Sequence, residues 1–395
     1  MNNIIKPVCF FLIICVLSLI GIEIVLHLVN YPNEKHEQSM QRIKPHKSYH
    51  HFHVPGSYYI QYKVDPQSGL LVKSKWPRFD ERGLRDRVPL KESNQKILFI
   101  GDSFIEAFQV EMDEMFGNLV ENNLENVDIV NVGCSSWASL QYYSWIKDNI
   151  EEIKQYKSVY LFYFPNDPQD SLQYVKESDN PLDLDNLTFN HYYDGIYKNF
   201  PEWKKFMRRY VKLWLLSSMA KKSLREQLLK MRQRRSLSQE DEGLPAAGFD
   251  AWSDYMTGID TEEEKAAIAI DDYFIKKVAS LLKDHRVSLT VVYIPIPWQV
   301  PGEEDWLDVA QYRNETQKKV IEESKVFQNR LQQLAGDNNF RFLDLTVFLR
   351  EYKKQFPSSR LFNKGDGHFS VLGHEAVSSL LTEDIEKMIG SHERF

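Results

Sequence analysis

The stretch Lys96-Ile-Leu-Phe-Ile-Gly-Asp-Ser-Phe-Ile-Glu106 is an apolar run that ends abruptly in Gly101-Asp102-Ser103. Residues 97–100 are typical of a short buried strand, and the glycine that follows allows a sharp turn. A helix over 104–108 is predicted next, so Ser103 would lie where a strand passes into a helix. A serine there can be a nucleophile near backbone N–H groups, or it can only cap the helix. This stretch alone leaves both interpretations open.

Four further apolar runs follow, with amphipathic helical patterns between them. The runs are 128–132, 159–164, 289–294 and 340–344, and the helical patterns include 115–124, 139–156 and 315–334. Continuous apolar strands separated by amphipathic helices predict a mainly parallel five-stranded sheet with helices on both faces, a three-layer α/β/α fold. Functional groups in such a sheet collect beyond the carboxyl ends of the strands.

Polar residues stand after several of these strands. Asn131-Val-Gly133 follows the second, Pro165-Asn166-Asp167 follows the third, and Gly365-Asp366-Gly367-His368 precedes a predicted helix over 372–388. A serine nucleophile needs a base and a group that orients the base, and His368 and Asp366 can fill these roles. Side chains two residues apart in an extended step point the same way, so these two can meet. Taken singly, each residue also has an ordinary interpretation as a turn, cap or loop residue.

In this order the residues resemble the four sequence blocks of the SGNH, or GDSL-type, hydrolase superfamily, over roughly 96–389. The resemblance implies a flavodoxin-like fold with Ser103 as nucleophile, His368 as general base and Asp366 as its orienter. It also implies an oxyanion hole made by the Ser103 and Gly133 N–H groups and the Asn166 side chain. The spacing of one residue between Asp366 and His368 is closer to the spacing in SGNH proteins of the alginate O-acetylation type.

Two details accompany this resemblance. Segments 83–86, 294–300 and 368–374 are similar to membrane-anchored bacterial members of the superfamily. His374 is a rival base, but its position six residues after His368 and beside a glycine favours the entry of the final helix instead.

The first thirty residues predict a membrane anchor. Segment 7–22 carries no charge, and apolar residues resume after Glu23 as far as Val29, a length that suits a spanning helix. A cleaved signal peptide is the alternative, but no small-x-small cleavage site follows. Because Lys6 precedes the span, the rule of positive cytoplasmic flanks predicts a single-pass inner-membrane protein with its bulk in the periplasm.

Two regions flank or interrupt the predicted domain over 96–390. Residues 31–95 are predicted as an extracytoplasmic connector, with an edge strand over 58–64. Its histidines, His46, His50, His51 and His53, lack carboxylate or cysteine partners at ligand spacing, so we interpret them as solvated rather than metal-binding. The helical insertion over about 172–258 carries basic residues such as Lys204 and Arg225, and forms either a solvated cover or a surface for anionic partners.

Composition narrows the classes of partner. The 395-residue chain is 43% hydrophobic and 27% charged, with a formal net charge of −7, which argues against nucleic acid as the main partner. Of its three cysteines, Cys134 alone lies outside the N-terminal apolar segment, so the rest of the chain offers no intrachain disulfide and no cysteine cluster for zinc. The chemistry implied by the resemblance requires no cofactor or metal.

Together these features predict a serine esterase that acts on O-acyl, most readily O-acetyl, esters of carbohydrate or cell-surface polysaccharide through an acyl-enzyme on Ser103. Two alternatives stay open. One is an O-acetyltransferase that moves the acyl group to a sugar hydroxyl, and the other is a non-catalytic scaffold with the same fold. The sequence does not determine the acyl group, the acceptor or the oligomeric state.

Overall fold

A computed structural model describes residues 2–28, 42–64, 71–87, 95–190, 256, 258–259, 261–303, 315–363 and 366–392. The chain divides into two compact units. The first comprises Met1–Arg42 and Tyr193–Gly243, and the second comprises Ile43–Tyr192 and Leu244–Phe395. Most of the predicted insertion, including Lys204 and Arg225, lies outside the described residues.

The described part of the first unit contains helix α1, Asn2–Leu28. Several of its apolar side chains are exposed, for example Leu17 and Val25. Within the described ranges, no helix combines the length and apolar character that crossing a membrane requires, so the structure does not support the predicted transmembrane helix.

The second unit begins with two antiparallel strand pairs. Strands β1, Ile43–His46, and β2, His50–His53, form the first pair. Strands β3, Gln61–Val64, and β4, Leu71–Lys75, form the second. Strand β3 occupies the second half of the stretch predicted as an edge strand. The stretch predicted as a connector therefore contributes strands to the same compact unit as the central sheet.

The central sheet confirms the predicted architecture. Its five strands are β5, Gln95–Gly101; β6, Val127–Gly133; β7, Ser158–Tyr163; β8, Ser288–Tyr293; and β9, Arg341–Asp344. They are all parallel, in the order β6-β5-β7-β8-β9. The chain direction across the sheet reverses between β5 and β7, which makes their carboxyl ends the topological switch point where such folds bind ligands.

Helices follow these strands in alternation. They are α2, Ser103–Glu106; α3, Phe116–Asn123; α4, Ser139–Asp148; α5, Ile150–Ile153; α6, Asp167–Glu177; α7, Glu262–Asp284; α8, Glu315–Glu323; α9, Val326–Asn338; α10, Leu345–Gln355; and α11, Val371–His392. Short 3-10 turns stand at Met112–Glu114, Leu184–Asn186 and Pro297–Gln299. The patterns predicted over 139–156 and 315–334 each divide into two helices.

Alternate residues of the strands build two cores, one on each face of the sheet. Leu98 and Ile100 of β5 join a core completed by residues of α4, α7 and α9. Ile97 and Phe99 point to the other core, which residues of α3, α10 and α11 complete. This alternation is the period of two that a strand buried on both faces must show. The three-layer arrangement leaves the carboxyl ends of β5 and β7 for the candidate site.

Candidate active site

The residues predicted as nucleophile, base and orienter form one hydrogen-bonded series. His368 Nε2 lies 2.7 Å from Ser103 Oγ, and His368 Nδ1 lies 2.8 Å from Asp366 Oδ2. A carboxylate only accepts, so Nδ1 carries the proton and Nε2 is free to accept the serine proton. His368 is 23% exposed, so the series can be reached from solvent. This is the arrangement required for activating a serine hydroxyl.

A tight turn, rather than the predicted extended step, brings Asp366 to His368. The residue between them, Gly367, has φ of +81°, a left-handed conformation that only glycine adopts without cost. The N–H groups of Asp366 and Gly367 both donate to Asn363 O, at 3.3 and 3.1 Å, and Asn363 N–H donates to His368 O at 2.8 Å. The predicted pairing is observed, but the extended geometry proposed for it is wrong.

The charges of His368 and Asp366 stabilise each other. Burial alone would lower the pKa of His368, but the charge and hydrogen bond of Asp366 outweigh it and raise this pKa above 6.5. Conversely, burial would raise the pKa of Asp366, but His368 and a hydrogen bond from the Gln109 side chain lower it. The imidazolium that forms when His368 takes a proton is therefore favoured beside an ionised Asp366.

Helix α2 places Ser103 and the ring that supports the base. Asp102 precedes the helix and its carboxylate accepts from Phe104 N–H at 2.9 Å, which caps the first turn. The Phe104 ring lies 4.8 Å from the His368 ring, centroid to centroid. The same short turn thus positions the nucleophile and packs against the imidazole that activates it.

Arg85 secures the other end of α2. Its guanidinium is buried and donates to the carbonyl oxygens of Glu106, at 2.9 Å, and of Ala107 and Val110. Ala107 ends the helix with φ of +50°, an uncommon conformation for alanine. The cation satisfies carbonyl groups that the end of a helix leaves without partners. The sequence pattern indicates no such role for Arg85, which belongs only to the flanking segment 83–86.

The two other predicted oxyanion donors have different surroundings. A Cβ at Gly133 would lie 2.2 Å from Glu106 N and 2.6 Å from Ile105 C, so glycine is required here for close packing against α2. The N–H of the next residue, Cys134, donates to Gly101 O at the end of the β5–β6 pair. The Asn166 side-chain amide donates to Asp170 Oδ2 at 2.8 Å. Their role as oxyanion donors stays a prediction from the resemblance.

His374 is accounted for by packing. It lies in α11, is buried, and its Nδ1 accepts from Phe116 N–H at 3.2 Å. Burial lowers the pKa of His374 to about 3, so this imidazole stays neutral near neutral pH. The assignment of His374 to the final helix, rather than to the base, agrees with these contacts.

The interpretation of the four N-terminal histidines as solvated is wrong for three of them. His50, His51 and His53 are all buried. His51 Nε2 lies 2.9 Å from Ser135 O, His53 Nε2 contacts Glu106 Oε1, and His50 Nε2 lies 2.8 Å from Glu177 Oε2. Their partners are distant in the sequence, so spacing within 46–53 could not reveal them. Among the described residues, no group of histidine, cysteine or carboxylate side chains is suited to holding a metal ion.

The carboxyl groups of Asp102, Asp167 and Asp170 form a cluster close to Ser103. Burial raises the pKa of Asp102 to about 6, and burial with the nearby Asp102 charge raises that of Asp170 to about 7. Asp167 is fully buried and neither carboxylate oxygen has a hydrogen-bond partner. Burial and the neighbouring carboxylates therefore raise the pKa of Asp167 well above its usual value.

The charge of Arg330 opposes part of the rise in the pKa of Asp167. Arg330 donates to Asp272 Oδ1 at 2.6 Å, to the Tyr163 hydroxyl at 2.8 Å and to Asp271 Oδ2. The guanidinium is thus committed to Asp271 and Asp272, and the Asp167 carboxyl oxygens are left without a hydrogen bond.

No protein-family model matches the chain, and no curated protein matches it. Solved structures that match the chain include an acetyl xylan esterase, AlAXEase, at 14% identity over 73% of this chain and 99% of that one, with a TM-score of 0.37. A catalytic mutant of an acetylxylan esterase from Geobacillus stearothermophilus is 12% identical over 75% and 95%, with a TM-score of 0.36. A lipolytic G-D-S-L protein from Veillonella parvula is 11% identical over 72% and 94%, with a TM-score of 0.34.

Proposed function

We propose that this protein is a serine esterase that cleaves O-acyl esters through an acyl-enzyme on Ser103. The observation that supports the proposal is the series Ser103 Oγ, His368 Nε2, His368 Nδ1 and Asp366 Oδ2, with contacts of 2.7 and 2.8 Å. A scaffold without catalytic activity has no need for a hydroxyl, an imidazole and a carboxylate aligned in this way.

The chemistry follows from the protonation of the series. His368 Nε2 takes the Ser103 proton as Oγ attacks the ester carbonyl, and the resulting imidazolium is stabilised by Asp366. Collapse of the tetrahedral intermediate breaks the ester bond, and His368 returns the proton to the leaving alcohol. Water then attacks the acyl-enzyme, with His368 again as base, to release the acid and restore Ser103.

The class of substrate is proposed from the sequence resemblance alone. It favours O-acetyl groups on carbohydrate, such as a cell-surface polysaccharide, over long acyl chains. Transfer of the acetyl group to a sugar hydroxyl in place of water would use the same acyl-enzyme. The periplasmic location likewise stays a prediction from the sequence.

The first experiment tests the nucleophile. The full chain is incubated with p-nitrophenyl acetate and with a fluorophosphonate probe, beside the variants Ser103→Ala and Ser379→Ala. Ser379 is an exposed serine whose hydroxyl donates to Glu375 O at 3.0 Å, so its loss controls for non-specific labelling. We expect Ser103→Ala to abolish labelling and to lower hydrolysis by at least about 10³-fold, with Ser379→Ala unchanged.

Two outcomes would contradict the proposal or refine it. Equal labelling of Ser103→Ala and the original protein would remove Ser103 from the mechanism. Incubation with acetylated xylan, followed by measurement of free acetate and of acetyl transfer to an added oligosaccharide, distinguishes the esterase from the transferase.

A further inference from the structure

The loop that follows β6 contains Ser135 and Ser136 and is called the Ser135 loop below. Hydrogen bonds from α2, β2 and α6 hold it in place. Ser135 N–H donates to Glu106 Oε2 at 3.0 Å, and the Ser135 hydroxyl donates to the same oxygen. His51 Nε2 lies 2.9 Å from Ser135 O, and the Tyr174 hydroxyl donates to Ser136 O at 2.6 Å. Every hydrogen-bonding group of Ser135 therefore has a partner on α2 or on the β1–β2 pair.

Glu106 has a second partner, the imidazole of His53. His53 Nδ1 lies 3.0 Å from Gly83 O, and a carbonyl can only accept, so Nδ1 carries a proton. The contact between His53 Nε2 and Glu106 Oε1 engages the other ring nitrogen, so both nitrogens of the buried His53 ring have a partner. Both side chains of this pair are buried, and a buried polar pair needs such mutual contacts.

We propose that Glu106 is a positioning residue for the Ser103 reaction, which together with His51 and His53 fixes the Ser135 loop against the nucleophile helix. This inference rests on the proposed function. It assigns the first strand pair of the chain, β1–β2, a part in holding the active site, because His51 and His53 belong to β2.

The short length of α2 explains why outside contacts matter. The helix has 4 residues, too few for its own hydrogen bonds to define its position. Glu106 ends the turn that Ser103 begins, and Gly133 packs directly on the Ile105–Glu106 backbone. A shift of the Ser135 loop would therefore shift α2 and lengthen the contact between Ser103 and His368. Misplacement of reacting groups by about 1 Å can cost on the order of 100-fold in rate.

Three variants and one control separate positioning from folding. Ser135→Ala removes only the hydroxyl contact, and Glu106→Ala removes every contact of the carboxylate. Glu106→Gln can donate from its amide to His53 Nε2 and still accept from Ser135. Ser171→Ala is the matched control, because Ser171 is a fully buried serine whose hydroxyl lies 3.0 Å from the Ser139 hydroxyl.

Hydrolysis of p-nitrophenyl acetate, the rate of fluorophosphonate labelling and thermal unfolding are measured on the full chain. We expect kcat and the labelling rate to fall about tenfold in Ser135→Ala and about 100-fold in Glu106→Ala, with KM changed less than about twofold. Glu106→Gln should stay within about threefold of the original protein, and Ser171→Ala should lose stability without losing kcat.

If Ser135→Ala keeps the original kcat while folded, the positioning role is wrong, even where Glu106→Ala fails to fold. Loss of kcat in Ser171→Ala equal to that in Ser135→Ala would also overturn it, since the effect would then be general. If the original protein neither hydrolyses the ester nor labels at Ser103, the proposed function fails first and the positioning role falls with it.

Discussion

Two carboxyl groups near Ser103 have pKa values shifted in opposite directions. Asp366 contacts His368 at 2.8 Å and its pKa is lowered, because a cation and hydrogen bonds stabilise its charge. Asp167 is fully buried without a hydrogen bond and its pKa is raised well above the usual value. Burial itself has the same sign in both cases, so the partner decides which form is stable. The comparison separates a carboxylate available for catalysis from a carboxyl group whose protonated form is favoured by burial.

Removing the charge of the partnered carboxyl should give the largest effect. In Asp366→Asn, the imidazolium of His368 loses its stabilising charge and kcat should fall roughly 10³- to 10⁴-fold. The pKa of His368 should fall as well, so the acid limb of the pH profile of kcat/KM moves to lower pH. Hydrolysis of p-nitrophenyl acetate between pH 5 and 9 measures both changes, with Ser103→Ala as the baseline.

Hydrolysis by Asp366→Asn at the original rate would show that Asp366 does not orient the base. An unmoved acid limb, with kcat reduced, would instead show that Asp366 acts by geometry and not by charge.

Removing the ionisable group without a partner should stabilise the protein. Because the folded pKa of Asp167 lies above its unfolded value, the wild-type stability supplied by its protonated form is present at low pH and is lost as pH rises above about 4 towards that folded pKa. Asp167→Asn has no such loss, so its melting temperature should exceed the wild-type value by a few degrees at pH 8 and by less at pH 4.5.

Thermal unfolding at the two pH values measures the difference directly. A gain for Asp167→Asn that is equal at both pH values would contradict the protonation argument. A loss at both would indicate that the carboxyl group has a favourable contact in the folded protein.

Removing the charge of an exposed carboxylate that has a partner should give the smallest effect. Glu383 forms an exposed ion pair with Lys387, one turn along α11. Solvent screens both charges in the folded chain and in the unfolded chain. Glu383→Gln should therefore change the melting temperature by less than about 1 °C at pH 7. A larger shift would mean that a partner matters for stability even without burial.

Much of the fold was predictable because its signals are local. Apolar runs of the right length predicted all five strands of the central sheet to within about two residues. Ser103, Asp366 and His368 were also predictable, since they stand directly after strands or in a short turn whose composition is informative. The sequence pattern predicted that Asp366 and His368 would meet, although the extended backbone predicted between them was wrong.

The contacts that the sequence did not reveal join residues far apart along the chain. His53 and Glu106 are separated by 53 positions, and His51 and Ser135 by 84. Such pairs have no local periodicity, so the histidines of β2 looked like part of a solvated stretch. The support that Arg85 gives to α2 could not be predicted either, because its partners are backbone carbonyl groups, which every residue supplies.

The sequence by itself determined the layers of the fold, the place of Ser103 after β5, and the residue types able to activate it. Hydrophobic periodicity and turn composition act over a few residues and need no knowledge of packing. Only the tertiary structure decided which buried polar groups have partners, and hence which are charged. Partner choice depends on distances between segments that the chain brings together only when it folds.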